Sequence, residues 1–258
     1  RGMFAYAIYD KNKNEIFISR DHFGIKPLYY YKNKEVILFG SEIKSFLVHP
    51  KFKKELNKEL LGPYLTFSFT PTDETFFKNV YRLPGGHSMT INVKTKKINI
   101  ERYFKVEFSN TKESFEEVVE EISKVMDDSV KHHLISDVEV GSFLSSGVDS
   151  SYLVSLAKPD KTYTIGFDLA KYSEIDYAKD LTDKLKIKNI SEKISKEEYM
   201  KAIPDVYYHM DEPTADGCAI AVYFLSRLAS KDVKVVCEAP VGSLKTIVYP
   251  VAPLKDAE

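Results

Sequence analysis

A short apolar run, Val138, Val140, Phe143 and Leu144, gives way to Ser145-Ser146-Gly147-Val148-Asp149-Ser150-Ser151 and resumes at Tyr152, Leu153, Val154 and Leu156. No other stretch constrains the fold as strongly. A helix that starts directly after a buried strand brings its unpaired amides and the positive end of its dipole to one point, which suits a phosphate group. Gly147 permits close approach of backbone to a ligand. The hydroxyls of Ser145, Ser146, Ser150 and Ser151 can donate to phosphate oxygens. The loop lacks the Gly-Lys-Ser/Thr ending of a Walker A loop, so P-loop NTPase chemistry is not the first reading. A serine-capped helix with no ligand would use the same residue types, so the surroundings must decide.

Those surroundings alternate. Ser114–Leu134 carries helical spacing (Phe115, Val118, Val119, Ile122, Val125, Met126, Val130), and Ser114 with Glu117 fits a capping box. Strands are expected at 138–143, 161–167, 189–194 and 233–237. Helices are expected after the loop through Leu156 and at 174–185, 197–209 and 219–230. Alternation of this kind predicts a parallel sheet with helices on its faces and a ligand beyond the carboxyl ends of the strands.

The first ~105 residues read differently, as short strands joined by tight polar turns at Lys11–Asn14, Lys32–Lys34 and Leu83–His87. This predicts antiparallel pairing, with short helices at 41–47 and 56–67. Such a sheet would leave one face and one edge uncovered, so part of a domain is expected upstream of Arg1. A linker is expected at 106–112.

Composition removes several classes. The 258 residues carry a formal net charge of −1, which provides no case for nucleic acid or an anionic membrane surface. No apolar stretch reaches the ~18 residues of a membrane span, and no signal peptide opens the chain. Two cysteines, Cys218 and Cys237, are too few for a disulfide framework and suggest a reducing, cytoplasmic compartment. His132 and His133 point about 100° apart on a helix and make poor joint metal ligands. Cys218 reads as a small buried residue.

Over residues 1 to about 236 the chain resembles glutamine-hydrolysing asparagine synthetase of the bacterial type. The resemblance rests on Gly2–Ala7, Ser19–Tyr30, Phe39–Lys44, Leu83–His87, Ser136–Leu144, Tyr163–Phe167 and His209–Pro213, in that order. It implies a remnant of an N-terminal-nucleophile glutaminase domain built on antiparallel sheets (1–105). A Rossmann-like parallel-sheet ATP-pyrophosphatase domain follows (113–236), then a divergent tail (237–258). It implies ATP and Mg²⁺, with aspartate and glutamine as further substrates: ammonia from glutamine would displace AMP from an adenylated aspartate side chain. A carboxylate must there approach a polyanion, so donors, helix dipole and metal have to offset repulsion.

Residue by residue, the resemblance places ATP on Ser145, Gly147, Val148, Asp149, Ser150 and Ser151, with Leu144, Ile165 and Gly166 bordering the adenosine. Asp149 is expected to hold Mg²⁺ or to orient the loop amides. Ser146 replaces a glycine of the family loop and would narrow the phosphate space if that position needs a positive φ. The cysteine nucleophile would lie upstream of Arg1. The acidic loop expected after Lys234-Val235-Val236 is replaced by Cys237-Glu238-Ala239-Pro240-Val241-Gly242-Ser243, an abrupt change of the kind a frameshift or assembly join produces. Gly217 and Ala221 stand where the family usually has prolines. By resemblance the family's dimer forms through the absent part, and exposed edges favour self-association. The runner-up readings are a related amidotransferase or cyclising ligase, and a remnant that at most binds nucleotide.

Overall fold

The computed structural model describes residues 2–110, 112–168, 173–213, 217–238 and 247–250. The chain divides into two compact units, Arg1–Ser109 with Tyr207–Asp216, and Asn110–Val206 with Gly217–Glu258.

The first unit contains β1 (Ala5–Asp10), β2 (Glu15–Arg20), β3 (Tyr29–Lys32), β4 (Ile37–Gly40), α1 (Leu61–Phe67), β5 (Val80–Arg82), β6 (His87–Asn92) and β7 (Ile98–Arg102). The strands form two antiparallel sheets, ordered β1-β2-β6-β7 and β4-β3-β5. Alternation does the sorting. Ile16 and Ile18 on β2 face inward while Phe17 between them is exposed. Ile18, Leu28, Leu83, Met89 and Ile91 are buried together, with Tyr30, Ile37 and Phe39 from the smaller sheet packed against them. The β1–β2 turn closes through Asp10, whose Oδ1 accepts the amides of Asn12 and Lys13, and through Asn14 at φ 53°.

Three details differ from the sequence expectation. The helix expected at 41–47 is a 3₁₀ segment, Ile43–Val48. The helix expected at 56–67 starts only at Leu61, after a 3₁₀ turn at Lys58–Leu60, because Pro63 has no N–H and is tolerated only in a first turn. Strand β5 was not expected; three residues are too few to show a period, and its register against β3 (Tyr29↔Arg82) defines it.

The loop after β2 is held by two adjacent charges. Arg20 donates to the carbonyls of Gly24, Lys26 and Leu83, and Asp21 accepts the amides of Phe23, Ile25 and Lys26. Burial of the guanidinium lowers its pKa, with Tyr29 and Asp21 opposing the shift. Gly85 is required by close approach, since a Cβ there would lie 2.6 Å from the backbone nitrogen of Gly24.

The second unit contains α2 (Phe115–His133), β8 (Val140–Phe143), α3 (Val148–Ala157), β9 (Lys161–Phe167), α4 (Ile175–Leu185), β10 (Lys188–Ile194), α5 (Lys196–Met210), α6 (Cys218–Ala229), β11 (Val235–Glu238) and β12 (Ile247–Pro250). The last residues of α5, from Tyr207, are grouped with the first unit. Sheet order is β10-β9-β8-β11-β12, parallel except for β12, which runs antiparallel to β11. The tail expected to diverge from 237 thus supplies the end of one strand and the whole of another; its residues 239–246 and 251–258, including the altered loop, lie outside the described residues. One face of the sheet packs Phe143, Tyr163, Ile165 and Val236 against α5 and α6, through Val206, Phe224 and Leu228 among others. Leu144 joins Val154 of α3 and Ala178 of α4 in a separate buried group.

The capping box read from Ser114 and Glu117 is present, and an unexpected second one joins Ser195 to Glu198. In both, the serine backbone N–H and then its hydroxyl hold the glutamate below its ordinary pKa. A depressed carboxylate pKa gives stability that is complete above the unfolded value of ~4.3 and is lost as pH falls through the lower folded value. Helical circular dichroism is therefore expected to decline below pH ~4, and Glu117→Gln with Glu198→Gln should remove part of that decline.

Tyr163 has a buried hydroxyl with no partner among the described residues, and desolvation raises its pKa. Tyr163→Phe should therefore raise stability by about 1 kcal/mol in thermal denaturation, and destabilisation of that size would show that the hydroxyl is satisfied in solution. Among the described residues, no helix is long and apolar enough to cross a membrane.

Candidate functional site

In the second unit, β8 lies between β9, reached through α3, and β11, reached after α5 and α6. The strand order reverses there, and the crevice beyond the carboxyl end of such a strand is where open α/β sheets bind ligands. Residues 145–147 occupy that end, directly between β8 and α3.

Gly147 is the N-cap of α3 at φ −69°, ψ 147°, and Asp149 falls in the first helical turn with an exposed side chain. Gly147 is therefore not needed for an unusual backbone angle; a Cβ there would meet Ser145 Oγ at 3.2 Å. Ser146 does not have a positive φ either, so its side chain causes no backbone strain.

The serines do not all behave as the sequence suggests. Ser150 is buried; its hydroxyl sits 2.8 Å from that of Ser145 and accepts the Ser145 amide at 3.2 Å. Ser145 Oγ accepts the Gly147 amide at 3.2 Å, and Ser151 Oγ donates to the Gly147 carbonyl at 2.8 Å. Ser146 Oγ donates to Glu174 Oε1 at 2.6 Å. Small hydroxyls this close to their own backbone satisfy it locally, which shapes the turn. Two loop amides are thus turned onto protein acceptors. The amides of Val148, Asp149 and Ser150, at the start of α3, have no i−4 carbonyl in the helix and no acceptor among the described residues. They are donors left open at the start of α3.

Leu144 and Ile165 are 2% and 6% exposed, with side chains committed to different cores. Their side chains are therefore not presented to a ligand. Gly166 answers to packing: a Cβ would lie 2.7 Å from both Ile175 Cδ1 and Ser173 Oγ. Glu174 was missed by sequence reasoning. It precedes the periodic residues of α4 and reads there as a helix start, while the structure sets its carboxylate on the loop.

No group of three or more His, Cys, Asp or Glu side chains suited to a metal is found among the described residues. Asp149 and Glu174 are the acidic side chains at the loop. His132 and His133 bond back onto their own helix, to the carbonyls of Asp128 and Ser129.

Comparison with known proteins agrees with this layout. Residues 1–123 match the sequence model of a glutamine amidotransferase domain, and residues 121–238 match that of asparagine synthase. Asparagine synthetase (glutamine-hydrolyzing) 1 of Bacillus subtilis is 42% identical over 239 residues, 91% of this chain and 38% of that protein. Asparagine synthetase (glutamine-hydrolyzing) 2 of the same organism is 37% identical over 60% of this chain and 22% of its own. The corresponding protein numbered 3 is 34% identical over 65% and 28%. The chain therefore spans well under half the length of these relatives. With two matching models that together reach from residue 1 to residue 238, and this level of identity across both, the chain belongs to the family of glutamine-hydrolysing asparagine synthetases.

Proposed function

We propose that residues 145–151 cradle the phosphates of ATP, in a protein whose whole-length form makes asparagine from aspartate with ammonia released from glutamine. On this reading residues 1–105 are the later part of an N-terminal-nucleophile glutaminase domain, and 113–236 belong to an ATP-pyrophosphatase domain acting in the cytoplasm. The observation that carries the reading is that the amides of Val148, Asp149 and Ser150, at the strand-order reversal, have no acceptor among the described residues. They would bind the phosphate chain as backbone donors, reinforced by the dipole of α3.

Buried Ser150, bonded to Ser145, keeps the turn in the shape that presents those amides. The backbone at Leu144, Ile165 and Gly166 would border the adenosine. Asp149 is the residue that would hold Mg²⁺, whose charge offsets that of the phosphates. Glu174 adds negative charge near the same loop, so metal neutralisation matters more here than amides alone would require.

Calorimetric titration of residues 1–258 with MgATP tests this. Binding in the millimolar range or tighter is expected, with loss of about tenfold or more in Asp149→Ala. No heat change at millimolar MgATP would overturn the assignment. Pyrophosphate release in the presence of aspartate is expected to be absent or very weak for this chain.

A further inference from the structure

We propose that Thr164 is a positioning residue for the phosphate loop, acting through a buried hydrogen-bond relay that runs from Asn189 to the Leu144 carbonyl. The inference rests on the reading of residues 145–151 as an anion cradle. Strand β9 directs Tyr163 and Ile165 into the cores that face α5 and α6, which leaves Thr162 and Thr164 on the opposite face of the sheet. These threonines are 0% and 1% exposed.

A buried hydroxyl has one proton to place, and its neighbours decide where it goes. Asn189 on β10 donates from Nδ2 to both Thr164 Oγ1 and Thr162 Oγ1, each at 3.0 Å. That contact uses the Thr164 oxygen as acceptor, and its own proton is directed to the carbonyl of Leu144 at 2.9 Å.

Leu144 is where the ladder ends. The β8–β9 pairing covers Gly141 to Phe143, and the Leu144 amide makes one more bond, to the Tyr163 carbonyl at 2.9 Å. The Leu144 carbonyl lies in the rigid peptide plane that joins Leu144 to Ser145 and the Leu144 amide in the plane before it, so holding both restricts the rotation at Leu144 that sets one plane against the other. The N–H of the plane shared with Ser145 is the one received by Ser150 Oγ. The relay thus sets the direction in which the loop leaves the strand, and with it the aim of the amides at the start of α3. Valine would fill the same volume as Thr164, so the hydroxyl itself is open to test.

The experiment compares Thr164→Val and Thr164→Ser in the 258-residue chain, by amide hydrogen exchange and by calorimetric titration with inorganic pyrophosphate. Thr164→Val is expected to speed exchange at Ser145 by about tenfold and to weaken pyrophosphate binding by about tenfold, the effect of losing one well-made buried hydrogen bond. Exchange at Phe224 and Leu228 in α6 should stay unchanged, and Thr164→Ser should restore both quantities. Should Thr164→Val fail to fold, Asn189→Ala is expected to give the same pattern at about threefold. Unchanged exchange at Ser145, or equal acceleration in α6, would overturn the relay. Altered exchange at Ser145 in a chain whose unsubstituted form ignores pyrophosphate would support the relay and sink the anion reading alone.

Discussion

Replacing Asp21 with alanine is expected to cost about 3–5 kcal/mol at the core of the first unit, the largest single loss we anticipate in this chain. Asp21 is 1% exposed, and both carboxylate oxygens are occupied: Oδ1 takes the amides of Phe23 and Ile25, and Oδ2 takes that of Lys26 at 2.9 Å. Its carbonyl accepts two further amides, from Gly24 and Gly86. The backbone from 22 to 26 belongs to no strand, and this side chain satisfies three of its amides. Arg20 covers the carbonyls of the same loop, and alanine at 21 would remove one of the negative charges that favour that half-buried cation. Asp21→Asn separates the two causes. It keeps one acceptor oxygen but turns an NH₂ group toward one of the donors, so its loss should be intermediate. Hydrogen exchange at the amides of Ile18 and Met89 reads the effect locally; a loss below ~1 kcal/mol in Asp21→Ala would refute the argument.

The second large effect is expected at Asp211. This residue lies past the end of α5, yet it belongs to the first unit, together with all of Tyr207–Asp216. Its Oδ2 accepts the amide of Ile43 at 2.6 Å, and its Oδ1 accepts that of Lys44 and pairs with Lys44 Nζ at 3.3 Å. It therefore caps the 3₁₀ segment Ile43–Val48, whose own N-cap, Glu42, provides no side-chain bond. The next residue, Glu212, accepts two nitrogens of Arg82 and the amide of Phe76, while Arg82 also reaches Thr70 and the carbonyl of Thr72. The Asp211 and Glu212 side chains are only 6% and 11% exposed, so the screening that weakens surface ion pairs is small.

Asp211→Ala should cost about 3 kcal/mol, since two amides and an ammonium lose their acceptor together. Asp211 sits at φ 63°, a left-handed conformation that glycine adopts freely and alanine does not. Asp211→Gly should therefore lose about 1 kcal/mol less than Asp211→Ala despite its greater freedom in the unfolded chain. Denaturant unfolding followed by tyrosine emission is suitable, because the chain has 17 tyrosines and no tryptophan. Equal losses for the two substitutions would show that backbone strain plays no part; an unchanged midpoint in both would refute the capping role.

Much of the candidate site was legible before any coordinates. The run from Val138 to Leu156 announces strand, turn and helix, because buried strands and helix starts each leave a local signature. Ser114 and Glu117 announced their capping box for the same reason. The hydroxyls were read less well. Four serines beside a glycine suggest four donors aimed outward, whereas Ser145, Ser150 and Ser151 bond within the turn and Ser146 bonds to Glu174. A hydroxyl rotates to its nearest acceptor, and composition does not say which acceptor is nearest. Gly166, placed beside the adenosine by resemblance, also makes room for Ile175 and Ser173, a packing demand that no local pattern announces.

The sequence by itself determined the longer strands and helices, the order in which β and α elements alternate in the second unit, and the strand, turn and helix around Gly147. These follow from interactions a few residues apart, which a chain carries wherever it goes. Only the tertiary structure decided that Asp211 and Glu212 serve the first unit, that Arg20 meets the carbonyl of Leu83, and that Asn189 and Thr164 hold the carbonyl of Leu144. Each of these joins groups brought together by folding, from 20 residues apart for Thr164 and Leu144 to 168 for Asp211 and Ile43, and separations of that kind leave no periodic trace in the order of the amino acids.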